Sequence, residues 1–138
     1  MNAAPASRFW IFIAGVLGAV GVGVAAWSSH GLPAFLPADQ LALGQSRAQA
    51  ANLHLLLHTV VLFGIGLWVR REANPWAHLA GALFVLGILG FAGGIYVLRI
   101  VLGIHDGALI RIVPAGGLCL IAGWLVLAIG GLRRPRGP

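Results

Sequence analysis

Four long apolar runs, each close to or above twenty residues, decide what this chain can fold into. They cover about residues 9–27, 53–69, 77–102 and 112–132. About twenty apolar residues wound as a helix cross a hydrocarbon core of about 30 Å. Hydrophobic residues make up 59% of the chain, charged ones only 9%, and mean hydropathy is +0.95, more apolar surface than a soluble fold of this size can hide. The runs lack the strict alternation of membrane barrel strands. The expected fold is therefore all-α: a single integral membrane domain over 1–138 with four transmembrane helices in a bundle.

The breaks between the runs carry loop chemistry. Pro33 and Pro37 interrupt the first gap; Arg70, Arg71, Glu72 and Pro75 the second; His105, Asp106 and Arg111 the third. Residues 30–52 read as an outer connection with a short amphipathic piece in the interface. The first run has a rival reading as a secretory signal, with Arg8 before it and "VAAWSS" after it. It exceeds the usual 7–15 residues of a signal core, and Gly15, Ala19 and Gly23 recur every four positions, as in a packing stripe.

The formal charge of +6 comes from nine arginines and no lysine. Arg8, Arg70, Arg71, Arg133, Arg134 and Arg136 fall on one side of a four-crossing topology, Arg47 and Arg111 on the other. The positive-inside rule then places both termini in the cytoplasm and the chain in a bacterial inner membrane. This distribution along the loops argues against a nucleic-acid partner. Cys119, the only cysteine, reads as a buried thiol without chemistry.

In lipid, helices associate through close backbone approach more than through apolar burial, so small residues mark the seams. Gly87, Gly90 and Gly94 share one face of the third run, and Gly116, Gly117 and Gly123 lie in the fourth. They imply a tight bundle with some surface left for a partner or a second copy. The five tryptophans, Trp10, Trp27, Trp68, Trp76 and Trp124, fall mostly at the run ends and read as an aromatic belt.

The polar residues of the runs are few. His54 and His58 stand one turn apart at the expected outer start of the second helix, with His30 after the first and Tyr96 and Arg99, three residues apart and so on one helical face, near the outer end of the third. Together they form a candidate ligand-binding mouth. Two imidazoles at this spacing suit a metal, or one ring can serve a ligand while the other orients it. The plainer reading makes His54 an interfacial ring and His58 an interhelical hydrogen-bonding group, with His30, Tyr96 or a backbone carbonyl as partner. Arg99 either snorkels to headgroups or turns inward to an anionic headgroup, a quinone oxygen or a partner's carboxylate, with Asp106 as a candidate counter-ion. The sequence offers no phosphate-binding glycine loop with lysine, no intramembrane carboxylate pair and no nucleophile–base pair, so an enzyme is not expected.

Taken together, "AAWSSHGL", "HTVVLF", "LGILGFAGGIY" and "VPAGGLCLIAGW" resemble, in order and over nearly the whole chain, the membrane proteins of the domain of unknown function 423 family, the transmembrane protein 256-like group. Phe91, Gly93, Tyr96, Pro114, Gly116, Gly117, Gly123 and Trp124 carry most of the likeness. His30 and His58 match family histidines, whereas His54 and Leu55 replace a Tyr-Gln pair. The resemblance implies a four-helix inner-membrane protein and assigns no activity. The functional expectation is a small non-enzymatic accessory subunit packed against a larger membrane complex of respiratory or other redox type. The alternative is an outer-leaflet binding protein that holds haem, a metal or a quinone at the histidines.

Overall fold

The computed structural model describes residues 3–132, and Arg133, Arg134 and Arg136 lie outside them. Four long helices run through it: α1 (Ala3–His30), α2 (Ala38–Arg71), α3 (Pro75–Val101) and α4 (Ile112–Leu132). All four are long and apolar enough to span a bilayer. The starts of α1 and α3 and the ends of α2 and α4 share one end of the bundle, called proximal below. The α1–α2 and α3–α4 connections form the distal end.

Local chemistry sets the boundaries. Asn74 caps α3, its Oδ1 accepting from the Trp76 and Ala77 amides at 3.0 and 3.3 Å, with Pro75 in the first turn. Gly103 ends the distal part of α3 with φ +62°, a left-handed conformation that glycine adopts without steric cost. A second positive-φ glycine, Gly107, precedes the single 3₁₀ turn Ala108–Arg111 that leads into α4.

The largest departure from the sequence expectation is α2. A helical turn at Leu32–Phe35 and the bend at Pro37 take up the connection, and α2 then runs unbroken from Ala38, fifteen residues before the expected start at 53 (53 − 38). The polar stretch "ADQLALGQSRAQAAN" is made of good helix formers, with Asp39 placed against the helix dipole, so low hydropathy there did not mean a loop. His54 and His58 consequently lie in the middle of a helix and not at its mouth.

The helices are arranged as two hairpins joined through α2 and α3. Extended seams join α1 to α2 and α3 to α4, a looser one joins α2 to α3, and none joins α1 to α4. Burial follows this order: in the apolar windows of α2 and α3, 39% and 44% of residues are buried, against 17% and 22% in α1 and α4. The α3–α4 seam is the closest. A Cβ on Gly90 would meet the Gly116 Cα at 3.0 Å, one on Gly87 the Gly116 carbonyl at 3.0 Å, and one on Gly94 the Val113 side chain at 2.8 Å. Gly123 receives the Phe84 ring, and Gly117 borders Phe91 at 3.6 Å. On α1 the contacting glycines are Gly18 and Gly21, whereas Gly15, Ala19 and Gly23 face away from the bundle. The small-residue stripe expected to pack is thus an outward face.

In its distal half α3 is π-helical, over Leu89–Gly93 and Ile95–Val101. With i→i+5 bonding each turn holds more residues, so positions three apart no longer stack. Tyr96 and Arg99, expected on one face, therefore diverge.

Two predictions follow from this framework. Gly116→Leu should lower stability by about 1–3 kcal/mol or more in a detergent unfolding assay, because its side chain would collide with the Gly90–Phe91 backbone, while Gly15→Leu, pointing into open space, should leave it unchanged. The four crossings and the arginine bias also predict that a carboxy-terminal green fluorescent protein fusion glows and an alkaline phosphatase fusion at the same point is inactive.

Candidate functional site

At mid-height His58 is buried, 2% exposed, and both of its ring nitrogens are engaged. Nδ1 lies 2.6 Å from the His54 carbonyl, and the Trp124 Nε1–H donates to Nε2 at 3.1 Å. A carbonyl only accepts and an indole only donates, so the ring is neutral, with its proton on Nδ1. The Trp124 bond links α4 to α2 across a gap where the two helices share no extended seam. Phe84, fully buried, supports the pair, its ring centroid 5.2 Å from His58 and 5.5 Å from Trp124.

Beside this bond lies a trough of about 420 Å³ between α2 and α4, floored by Phe91 of α3. On α4 its wall runs through Pro114, Gly117, Leu118, Ile121 and Trp124, ten residues or about 15 Å along the axis (124 − 114). Most of the lining is apolar. His54 is its remaining polar element: Nδ1 donates to the Ala50 carbonyl at 2.8 Å, which in the neutral ring makes Nε2 an acceptor, and the ring stacks on His58 at 6.0 Å between centroids.

The five candidate residues do not form one mouth. His54 and His58 stand together at the trough. Tyr96 lies in a separate interior group, where its hydroxyl donates to the Ala48 carbonyl at 3.1 Å and lies 3.3 Å from Ser28 Oγ. Arg99 lines a distal hollow with Arg47 and His105. His30 is exposed at the distal end of α1 and joins none of these groups. The partner of His58 across the bundle is Trp124, which sequence reasoning assigned to the aromatic belt. Its position twelve residues into a run of 112–132 was the available signal, since belt residues sit at run ends. Asp106 is exposed and makes no ion pair with Arg99. Among the described residues no group of three or more His, Cys, Asp or Glu side chains is placed to hold a metal ion.

The His58–Trp124 bond is directly testable. Nitrogen-15 spectra of His58 should report the Nδ1–H tautomer, and Trp124→Phe should shift the Nε2 resonance and cost about 1 kcal/mol through the acceptor left unpaired. An unchanged Nε2 resonance in that variant would show that the bond is absent in the membrane.

Comparison with known proteins places this sequence in a family. Residues 24–117 match the family described as "Protein of unknown function (DUF423)". The UPF0382 inner membrane protein YgdD of Escherichia coli is 25% identical over 130 residues, covering 94% of both chains. A UPF0382 membrane protein of Staphylococcus saprophyticus is 33% identical over 123 residues, or 89% of this chain and 96% of its own. The Haemophilus influenzae relative, also a UPF0382 membrane protein, is 29% identical over 112 residues, covering 81% of this chain and 84% of its own. No solved structure matches the chain. Four membrane-spanning helices and relatives named as inner membrane proteins make this a multi-pass protein of the bacterial inner membrane, and the chain belongs to the DUF423 family.

Proposed function

We propose that this protein is a non-enzymatic accessory subunit of a larger inner-membrane complex, and that an apolar transmembrane helix of that complex seats in the trough between α2 and α4. The trough is the observation that carries the reading. It runs parallel to the helices for about 15 Å, from near the distal start of α4 to the middle of the span, and is walled on α4 by Pro114, Gly117, Leu118 and Ile121, spaced as a helix ridge requires. Gly117 on its wall allows close backbone approach, and His54 Nε2 offers one acceptor to a polar side chain of the incoming helix. A redox complex is the partner class carried over from the sequence reading.

The second reading is a small amphiphile, such as a quinone, in the same trough, favoured by that His54 acceptor within an apolar lining of suitable volume. The haem and metal versions gain no support, because His58 has no free ring nitrogen and no further ligand converges on His54.

A photo-crosslinking residue at Leu118 or Ile121 in native membranes separates these readings. The accessory-subunit reading predicts a discrete protein adduct at both positions and a stoichiometric partner in mild-detergent affinity isolation. Adducts to lipid alone, with a protein that isolates alone, would overturn it, and a co-purifying quinone would move the amphiphile ahead.

A further inference from the structure

We propose that Arg47, Arg99 and His105 form a site for a phosphate-bearing anion at the distal end of the bundle, with the headgroup of an anionic phospholipid as its source. The three side chains line a hollow of about 310 Å³ between α2 and the distal end of α3, together with Gln40. No carboxylate lines it. Asp39 and Asp106 adjoin the lining residues Gln40 and His105 in sequence, yet both are exposed and, among the described residues, neither pairs with an arginine.

The donors in the hollow exceed the acceptors. Arg99 Nε is buried and has no hydrogen-bond partner. A buried N–H without an acceptor is costly, and an anionic oxygen in the hollow removes that cost. Arg47 Nη1 lies 3.5 Å from His105 Nδ1. A guanidinium only donates, so Nδ1 is the acceptor and the ring's other nitrogen keeps its proton as a further donor. Two guanidinium forks with an imidazole N–H and the Gln40 amide match the several oxygens of a phosphate better than the two of a carboxylate.

Depth and lining favour a lipid over a free ion. Arg47 and Arg71 are 24 positions apart on α2 (71 − 47), or about 36 Å, so with Arg71 at the proximal surface Arg47 stands at the opposite headgroup level. Leu36, Leu43 and Ile100 complete the wall, an apolar surface for the glycerol and first acyl carbons. Arg111 also stands at this end but outside the hollow, whereas Arg47 and Arg99 converge on one space, as a shared ligand requires.

The test uses the full-length protein, delipidated in neutral detergent, and follows thermal unfolding and native mass spectrometry with added phosphatidylglycerol, phosphatidylcholine or inorganic phosphate. Phosphatidylglycerol should raise the melting temperature by several degrees over phosphatidylcholine and be retained as a discrete adduct. Both effects should be lost in Arg99→Gln and Arg47→Gln and partly kept in Arg47→Lys. If inorganic phosphate gives the same shift and competes with the lipid, the site stands and its source is the small anion. Should Arg99→Gln fail to fold, Arg47→Gln, whose side chain is half-buried, decides alone. Equal responses to the two lipids, or an undiminished phosphatidylglycerol effect in Arg47→Gln, overturns the proposal.

Discussion

The contact on which the rest of the bundle depends is the one between Gly90 and Gly116. Lipid tails are as apolar as leucine, so nothing expels these helices from their solvent, and α3 and α4 gain by touching more closely than side chains would permit. With the two backbones in contact, Phe84 fits over Gly123 and Phe91 lies along Gly117. That fixes the rotation of α4, and with it the position of Trp124 over His58. The trough is the remainder: α4 is held against α3 and reaches α2 through one hydrogen bond, so a channel stays open beside that bond.

A second constraint is that polar groups inside the span have no water to bond. The chain meets it with one repeated device, a side chain bonded to the carbonyl four residues back: Ser28 to Val24, Ser29 to Ala25, His54 to Ala50, His58 to His54 and Thr59 to Leu55. Such a bond is available on any single helix and specifies no partner. Specificity comes from groups that reach across between helices: Trp124 to His58, Tyr96 to the Ala48 carbonyl, and Trp10, whose Nε1–H donates to His78 Nδ1 at 2.9 Å. His54, with one ring nitrogen free, and Arg99, whose Nε has no partner, each line a hollow, whereas Asn52 Oδ1 is buried without a partner and lines neither.

The four crossings and the glycine seam of α3 and α4 were legible in the sequence because both rest on local composition: apolar length, and small residues recurring on one face. What was not legible depends on where helices begin and how they wind. Hydropathy dropped before residue 53, so α2 was started too late, and His54 and His58 moved from the middle of a helix to its mouth. The spacing of Tyr96 and Arg99 was read with α-helical geometry, and the π segment sends one inward and the other to the distal hollow. Nothing local announces that segment. In the sequence Arg47 is an outer charge and His105 a loop residue, and their meeting with Arg99 across 52 and 6 positions (99 − 47, 105 − 99) belongs to the tertiary fold.

The trough and the distal hollow are not independent surfaces. Gln40, Arg47, His54 and Leu57 fall along one stripe of α2, and the seven residues from Arg47 to His54 are two turns, about 10 Å (54 − 47). A phospholipid with its phosphate at Arg47 and Arg99 lowers its chains along that stripe, toward the flank of the trough where the partner helix is proposed to seat. Lipid and partner then touch one another as well as the protein. Any favourable contact between them is a coupling free energy, and by linkage each raises the affinity for the other by the same factor. On the two proposals above, the protein acts by presenting an apolar ridge site and a headgroup site at a fixed separation, and so selects which lipid stands beside the proposed partner helix.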